Sequence, residues 1–369
     1  MTAEVNALLT GREPRLIART RVRGESRLTS VRLSNLLATV SPNSVTLEAA
    51  RAMLVHSDLW IRYSAAQLLS RRGDRDARMV MQDVLNTGDA PARASVARHL
   101  HGFSWFAAEP LIKHALEDND FRVREGAVYA LCDLRDLNAY ATLTSVLRDA
   151  DDDLRMAAAW GLKDCQDSAA VPVLALVLEA TDPAVRIKGL EALGANDSPE
   201  AFPVTRNALN DPDPEVKYAA TLSLLELAGD TWLTELASII GRTEGETRRQ
   251  VLRGFFHATN YLKIDVARTS AADLLIDALE SSMLDDMGEV RTAAILPLSW
   301  MKHERTPQIV RRAYYRELDP EVKAKILRYA TSFIDEIGDE LVRDGLKCRE
   351  EAVREMAEQI AEDRSRQTR

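Results

Sequence analysis

The sequence predicts an all-α fold, a right-handed α-solenoid of about ten stacked helical hairpins with a 31-residue period. Three observations predict it. A basic residue returns at Arg62, Arg93, Arg124, Arg155, Arg186, Lys217 and Arg248, each 31 positions after the last, and a fixed period of this length marks repeated supersecondary units. Around each of them apolar residues recur at three- and four-residue steps, the spacing of one buried helix face. Aromatic residues make up only 5% of a chain that is 46% hydrophobic, so the core is built mainly from Leu, Ala, Val and Ile, which suits close-packed helices.

The stretch TDPAVRIKGLEAL (181–193) shows how a unit opens. Asp182 suits the N-cap, where a carboxylate accepts from free N–H groups of the first turn. Pro183 fits the first helical position, which needs no N–H partner. Val185, Gly189, Leu190 and Leu193 form the apolar stripe. DPEVKYAATLSL (213–224) and DPEVKAKILRYA (319–330) repeat the pattern, and two further basic positions, Arg291 and Lys323, follow Arg248 at gaps of 43 and 32. A second amphipathic helix follows in each unit. Leu143, Val146 and Leu147 lie 19, 22 and 23 residues after Arg124; Leu174, Val177 and Leu178 keep those steps after Arg155, and Leu236, Ile239 and Ile240 after Lys217. The unit is therefore helix A, turn, helix B, turn. One hairpin cannot bury its apolar face alone, and stacking on neighbours buries it. The expected organisation is a basic N-terminal arm or cap (1–27), one continuous solenoid (28–335) with an insertion near 257–270, and a C-terminal capping helix with a polar tail (336–369).

The D-P-x-V-R/K-x-x-A-A-x-x-L stretches resemble the HEAT-repeat family, specifically its short bacterial phycobilisome-lyase type, over roughly residues 28–365. The resemblance implies a charged ladder between stacked turns, with Arg186 reaching an acidic group of the neighbouring repeat; the alternative leaves each ladder residue (Arg62, Arg93, Arg124, Arg155, Arg186, Lys217, Arg248, Arg291, Lys323) on solvent. It also offers a bilin lyase-like or other chromophore-handling activity as an alternative function. The HEAT-like di-iron hydroxylases carry several His-Glu pairs, whereas this chain has only His303-Glu304.

Composition narrows the function. A net charge of −9 and a pI near 5.4 remove the global basic footprint of a nucleic-acid binder, so a HEAT-like nucleic-acid-binding protein stands only as a second alternative. Cys132, Cys165 and Cys348 have neither a paired framework nor metal-ligand spacing, which favours a reducing, cytoplasmic setting. No apolar run is long enough to span a membrane, and the N-terminus lacks the basic-then-apolar order of a secretory signal. Asp149, Asp151 and Asp153 imitate a calcium loop, but Leu154 and Trp160 stand where its Gly and closing Glu belong. His99 and His101, two apart on one helix, are expected to point away from each other. There is no Gly-rich phosphate loop, G-x-S-x-G elbow or C-x-x-C pair. The expectation is a non-catalytic protein-interaction scaffold without cofactor or metal, its partner another protein.

Two surfaces are candidates for binding, the alternatives being an ordinary solvated face for the first and a tolerated surface insertion for the second. Positions 20 and 21 after each ladder residue should line the concave B-helix face: Gln82 and Asp83, Lys113 and His114, Thr144 and Ser145, Ala175 and Leu176, Arg206 and Asn207, Ala237 and Ser238. The insertion supplies Asn260, Tyr261, Lys263, Asp265 and Arg268 on an exposed loop or short extra helix, and insertions in repeat proteins map to one face, often the binding face. The arm GREPRLIARTRVRGESR (11–27) reads first as a solvated or capping segment; the alternative is an extended arm facing an anionic partner, along which Arg19, Arg21 and Arg23 would align.

Overall fold

Aspartate four residues ahead of the ladder position starts most A helices. Asp58 accepts from the Trp60 N–H at 2.8 Å, Asp89 from Ala92 at 2.9 Å, Asp151 from Leu154 at 3.0 Å, Asp213 from Glu215 at 2.9 Å and Asp319 from Glu321 at 2.9 Å. Each carboxylate satisfies an N–H that the first turn of a helix leaves without an intrahelical partner.

The structure, a computed structural model, describes residue 39 and residues 41–196, 198–333 and 335–367. The arm bearing Arg19, Arg21 and Arg23 lies outside the described residues. Among the described residues all regular structure is helical. The described residues divide into two compact units, with the boundary between Ala192 and Leu193.

In the first unit the B helices are α1 (Leu47–Leu54), α3 (Arg75–Thr87), α5 (Trp105–Leu116), α7 (Leu137–Arg148) and α9 (Val171–Val177). They alternate with the A helices α2 (Leu59–Arg72), α4 (Ala90–Arg98), α6 (Phe121–Leu134), α8 (Asp152–Gly161) and α10 (Pro183–Gly194). A packs on A, with α2 on α4, α4 on α6 and α6 on α8. B packs on B, with α1 on α3, α3 on α5 and α7 on α9. Leu131, Leu143 and Leu147 are fully buried between the layers, and each such side chain contributes roughly 1.5–3 kcal/mol of hydrophobic stabilisation.

The second unit repeats the scheme with B helices α11 (Ala201–Asn207), α13 (Leu233–Arg242), α15 (Ala272–Ser282), α17 (Thr306–Arg316) and α19 (Asp335–Gly345). Its A helices are α12 (Pro214–Ala228), α14 (Gly245–Tyr261), α16 (Gly288–Trp300), α18 (Pro320–Phe333) and α20 (Glu351–Gln367). Leu236, Phe255, Leu275, Ile295, Tyr314 and Leu341 belong to one continuous apolar core.

Cys132 and Cys165 are buried, and the Tyr140 hydroxyl sits 3.2 Å from the Cys165 Sγ. Gly161 explains how α6 and α8 approach so closely: a Cβ at that position would lie 2.8 Å from the Cys132 Sγ and 2.9 Å from its Cβ. Gly161→Val is therefore expected to lower the unfolding free energy by about 2–3 kcal/mol through overpacking, measured by urea denaturation. An unchanged midpoint would show that the approach is soft.

The lengthened unit takes up its excess in the turn between α14 and α15. Residues 262–271 link the two helices through a short 3₁₀ turn, Val266–Arg268. Val266 is buried, and Leu262 and Ile264 pack on the core. Asn260, Tyr261, Lys263, Asp265 and Arg268 are exposed. Lys263 takes a φ of 57° to make the bend, a backbone region that non-glycine residues enter at a cost. Arg268 reaches Asp265 at 3.1 Å.

Candidate interaction surface

The ladder residues occupy the edge where a B helix turns into the next A helix. Their commonest acceptors are the backbone carbonyls five and six positions upstream. Arg124 Nη1 donates to the carbonyls of Asp118 (2.8 Å) and Asn119 (3.1 Å), Arg186 to Ala180 (2.9 Å) and Thr181 (3.0 Å), and Arg291 to Asp285 (2.8 Å) and Asp286 (3.0 Å). The cation thus closes the turn that follows a B helix, where carbonyls lack intrahelical partners and the dipole favours positive charge.

Acidic partners in the next turn are added at particular rungs. Arg93 forms a two-pronged pair with Asp118 at 2.7 and 2.9 Å, and Arg291 a like pair with Glu317 at 2.7 and 2.9 Å. Arg248 meets Asp285 at 2.9 Å. The Arg93 guanidinium holds the Asp118 carboxyl below the usual carboxylate range. At the lysine rungs, Lys217 donates to the Thr247 hydroxyl at 2.7 Å and Lys323 lies over the Tyr314 ring. Arg62, Arg155, Arg186 and Arg248 are buried.

The basic positions recognised by sequence end at Lys323. The structure extends them to Arg354, 31 residues on, which donates to the carbonyls of Cys348 (3.1 Å) and Arg349 (3.4 Å). The signal was the spacing alone, because the Asp-Pro opening is replaced by Glu350-Glu351 there.

On the B helices, Gln82, Lys113, His114, Ser145, Arg206, Asn207 and Ser238 are exposed, while Asp83, Thr144, Ala175 and Leu176 are half-buried. Ala237 corrects the expected row: it is only 5% exposed and joins the core. The 3₁₀ turn Gly229–Trp232 feeds α13, and Trp232 at its end joins the same core as Ala237. Ile239 is left half-buried where a core position was expected. Several outward charges are paired. Arg51 bonds Asp83 across adjacent hairpins, Lys113 bonds Glu109 at 2.8 Å and Arg206 bonds Glu235 at 2.6 Å.

Two grooves open between adjacent B helices of the second unit. The first, about 740 Å³, lies between α15 and α17, and its lining includes Met283, Leu284, Ile309, Arg312, Leu318 and Pro320. Leu318 is 92% exposed and Leu284 66% exposed. The second, about 470 Å³, lies between α11 and α13 and contains Arg206 and Asn207 together with Asn210, Ile239 and Arg242. Neither groove was legible in the sequence, since each takes residues from two hairpins and from helix ends outside the B-helix row.

The histidines behave differently from the expectation. Helix α4 ends at Arg98, and Leu100–Gly102 forms a 3₁₀ turn, so the helical rule for residues two apart does not apply. The rings of His99 and His101 lie 6.0 Å apart. His99 is buried, donates Nδ1–H to the Ser95 carbonyl at 2.8 Å and meets the Tyr63 ring edge-on. Burial pushes its pKa down to about 4. Among the described residues no group of three or more His, Cys, Asp or Glu is placed to hold a metal ion, and no helix is long and apolar enough to cross a membrane.

The periodic ladder, the paired helices and the carbonyl-capping arginines agree with the HEAT-repeat family model, which matches residues 108–179 and 171–254. Residues 108–254 carry HEAT repeats. No curated protein matches it in sequence. Among solved structures, a Kap121p mutant superposes on this chain with a TM-score of 0.61 at 14% identity, covering 96% of this chain and 44% of that one. Kap121p bound to RanGTP gives 0.57 at 14% identity over 97% and 44%. The chain therefore spans less than half the length of the Kap121p chains it matches. The complex of CpcE and CpcF of phycocyanin lyase from Nostoc sp. is 24% identical over 67% of this chain and 92% of that one, with a TM-score of 0.29, too low to carry an argument.

Proposed function

We propose that this HEAT-repeat chain is a non-catalytic interaction scaffold that holds a partner protein along the B-helix face of its second unit, with the 257–270 insertion as a further contact. The observation that carries the reading is the pair of leucines at the α15–α17 groove. Leu318, 92% exposed, and Leu284, 66% exposed, flank a groove of about 740 Å³. Single exposed leucines are ordinary, but apolar side chains gathered at a concave surface mark contact sites. Covering both would contribute roughly 1.5–3 kcal/mol each to an association. Tyr261 at 78% exposed and the neighbouring Lys263 and Arg268 offer the same kind of contact on the insertion. The similar Kap121p fold, solved with RanGTP bound, supports the reading as a precedent.

The test is quantitative affinity purification from the source cell with the native chain, a Leu284→Glu/Leu318→Glu variant and a Tyr261→Ala/Lys263→Glu variant. Because these side chains are exposed, thermal stability should stay within a few degrees of native. Recovery of the partner is expected to fall at least tenfold for the leucine variant and less for the loop variant. Equal recovery by all three chains would remove the scaffold surface proposed.

A further inference from the structure

We infer that the groove between α11 and α13 is a subsite for an extended peptide segment bearing a Glu or Asp side chain. This rests on the reading of the B-helix face as the docking face. The groove measures about 470 Å³, within the range of sites that enclose a small ligand or a few side chains. Its apolar part is Pro203, exposed, Leu209 and Ile239, half-buried, and Val251, buried.

The polar groups set the occupant. The carboxamides of Asn207 and Asn210 have no hydrogen-bond partner among the described residues. An amide side chain offers both donors and acceptors, the complement of a peptide backbone. Arg206 is committed to Glu235 at 2.6 Å. Arg242 is not committed: its Nε donates to the Ser238 carbonyl at 3.2 Å, and it has no acidic partner among the described residues. With Arg206 and Glu235 cancelling, the groove keeps one uncompensated guanidinium on a chain of net charge −9. A guanidinium takes a carboxylate through parallel N–H···O bonds and repels a lysine-bearing segment, so attraction and exclusion favour the same partner. No aromatic residue lines this groove, so nothing in it would stack a nucleobase.

The experiment uses fluorescein-labelled nonapeptide pools, degenerate except for a central Glu, Gln or Lys, titrated with the full chain by fluorescence anisotropy. The Glu pool is expected to bind at least fivefold tighter than the Gln pool, and the Lys pool more weakly still. Arg242→Glu should invert that order, and Asn207→Ala/Asn210→Ala should weaken all three pools by a similar factor. These positions are exposed, and unchanged circular dichroism would show that the variants fold. An order unaffected by Arg242→Glu, or no binding of any pool, overturns the inference. If Leu284→Glu/Leu318→Glu still loses the cellular partner, the docking face stands and only the acidic subsite falls. If neither effect is seen, both fall.

Discussion

Arg248→Met is expected to lower the unfolding free energy by about 3–5 kcal/mol, the range for breaking a buried ion pair from one side. The Arg248 and Asp285 side chains are 9% and 7% exposed, with Nη1 and Oδ2 2.9 Å apart. Removing the guanidinium leaves the carboxylate in a weakly solvated site without its partner, and desolvation rather than the lost contact dominates the cost. It also frees the Ile240 carbonyl, which now accepts from Arg248 Nε at 3.0 Å. The double variant Arg248→Met/Asp285→Asn separates the two contributions. The amide oxygen can still accept from the Met287 N–H, as Asp285 does at 3.0 Å, but it carries no charge. The double variant should therefore recover a substantial part of the loss. Urea denaturation of the three chains checks this; a double variant no more stable than the single one would show that the carbonyl contact, not the stranded charge, is decisive. Lys113→Ala, which breaks a largely exposed pair with Glu109, should cost less than about 1 kcal/mol.

The second large effect is a dependence on pH centred on His99. Burial lowers its folded pKa from 6.5 to about 4, helped by the nearby His101 and Arg98 charges and opposed by the bond to the Ser95 carbonyl. For a base depressed in this way the stabilisation is complete above the unfolded value and is lost as pH falls through 6.5 toward 4. Acidification from pH 7 to pH 4 should cost the native chain about 3 kcal/mol more than His99→Gln. Glutamine keeps a donor for Ser95 and does not titrate in this range. The aspartates with lowered pKa, Asp118 beside Arg93 among them, contribute equally to both proteins and cancel in the difference. Parallel stability-versus-pH curves would contradict this account.

The hairpin register was legible because most units solve the same problem with the same chemistry: an aspartate cap, an arginine or lysine four residues later and a stripe of small apolar residues. Arg354 was missed where the capping aspartate became Glu350 and only the interval survived. His99 and His101 were misjudged because α4 ends at Arg98, and helix termination depends on caps and packing that a periodic pattern does not encode. The burial of Ala237 had no marker of its own, because alanine is small enough to sit on either face of a helix. The grooves depend on which helix ends lie side by side, so Arg242 and Asn210 had no marker of their own.

The arginine clasps fall on only one rim of each stack, where a B helix gives way to an A helix. On the opposite rim individual pairs such as Arg72 with Asp74 stand alone and do not return at the 31-residue interval, and there residues 262–271 form the long link with Val266 tucked beneath. The two margins are consequently unequal in evolutionary freedom. Extra sequence can accumulate on the side without the periodic clasp at little cost in loop-closure entropy, while the clasped side keeps the spacing of the units. New specificities can thus be grafted along one border of the array without disturbing the joinery that keeps its units in step.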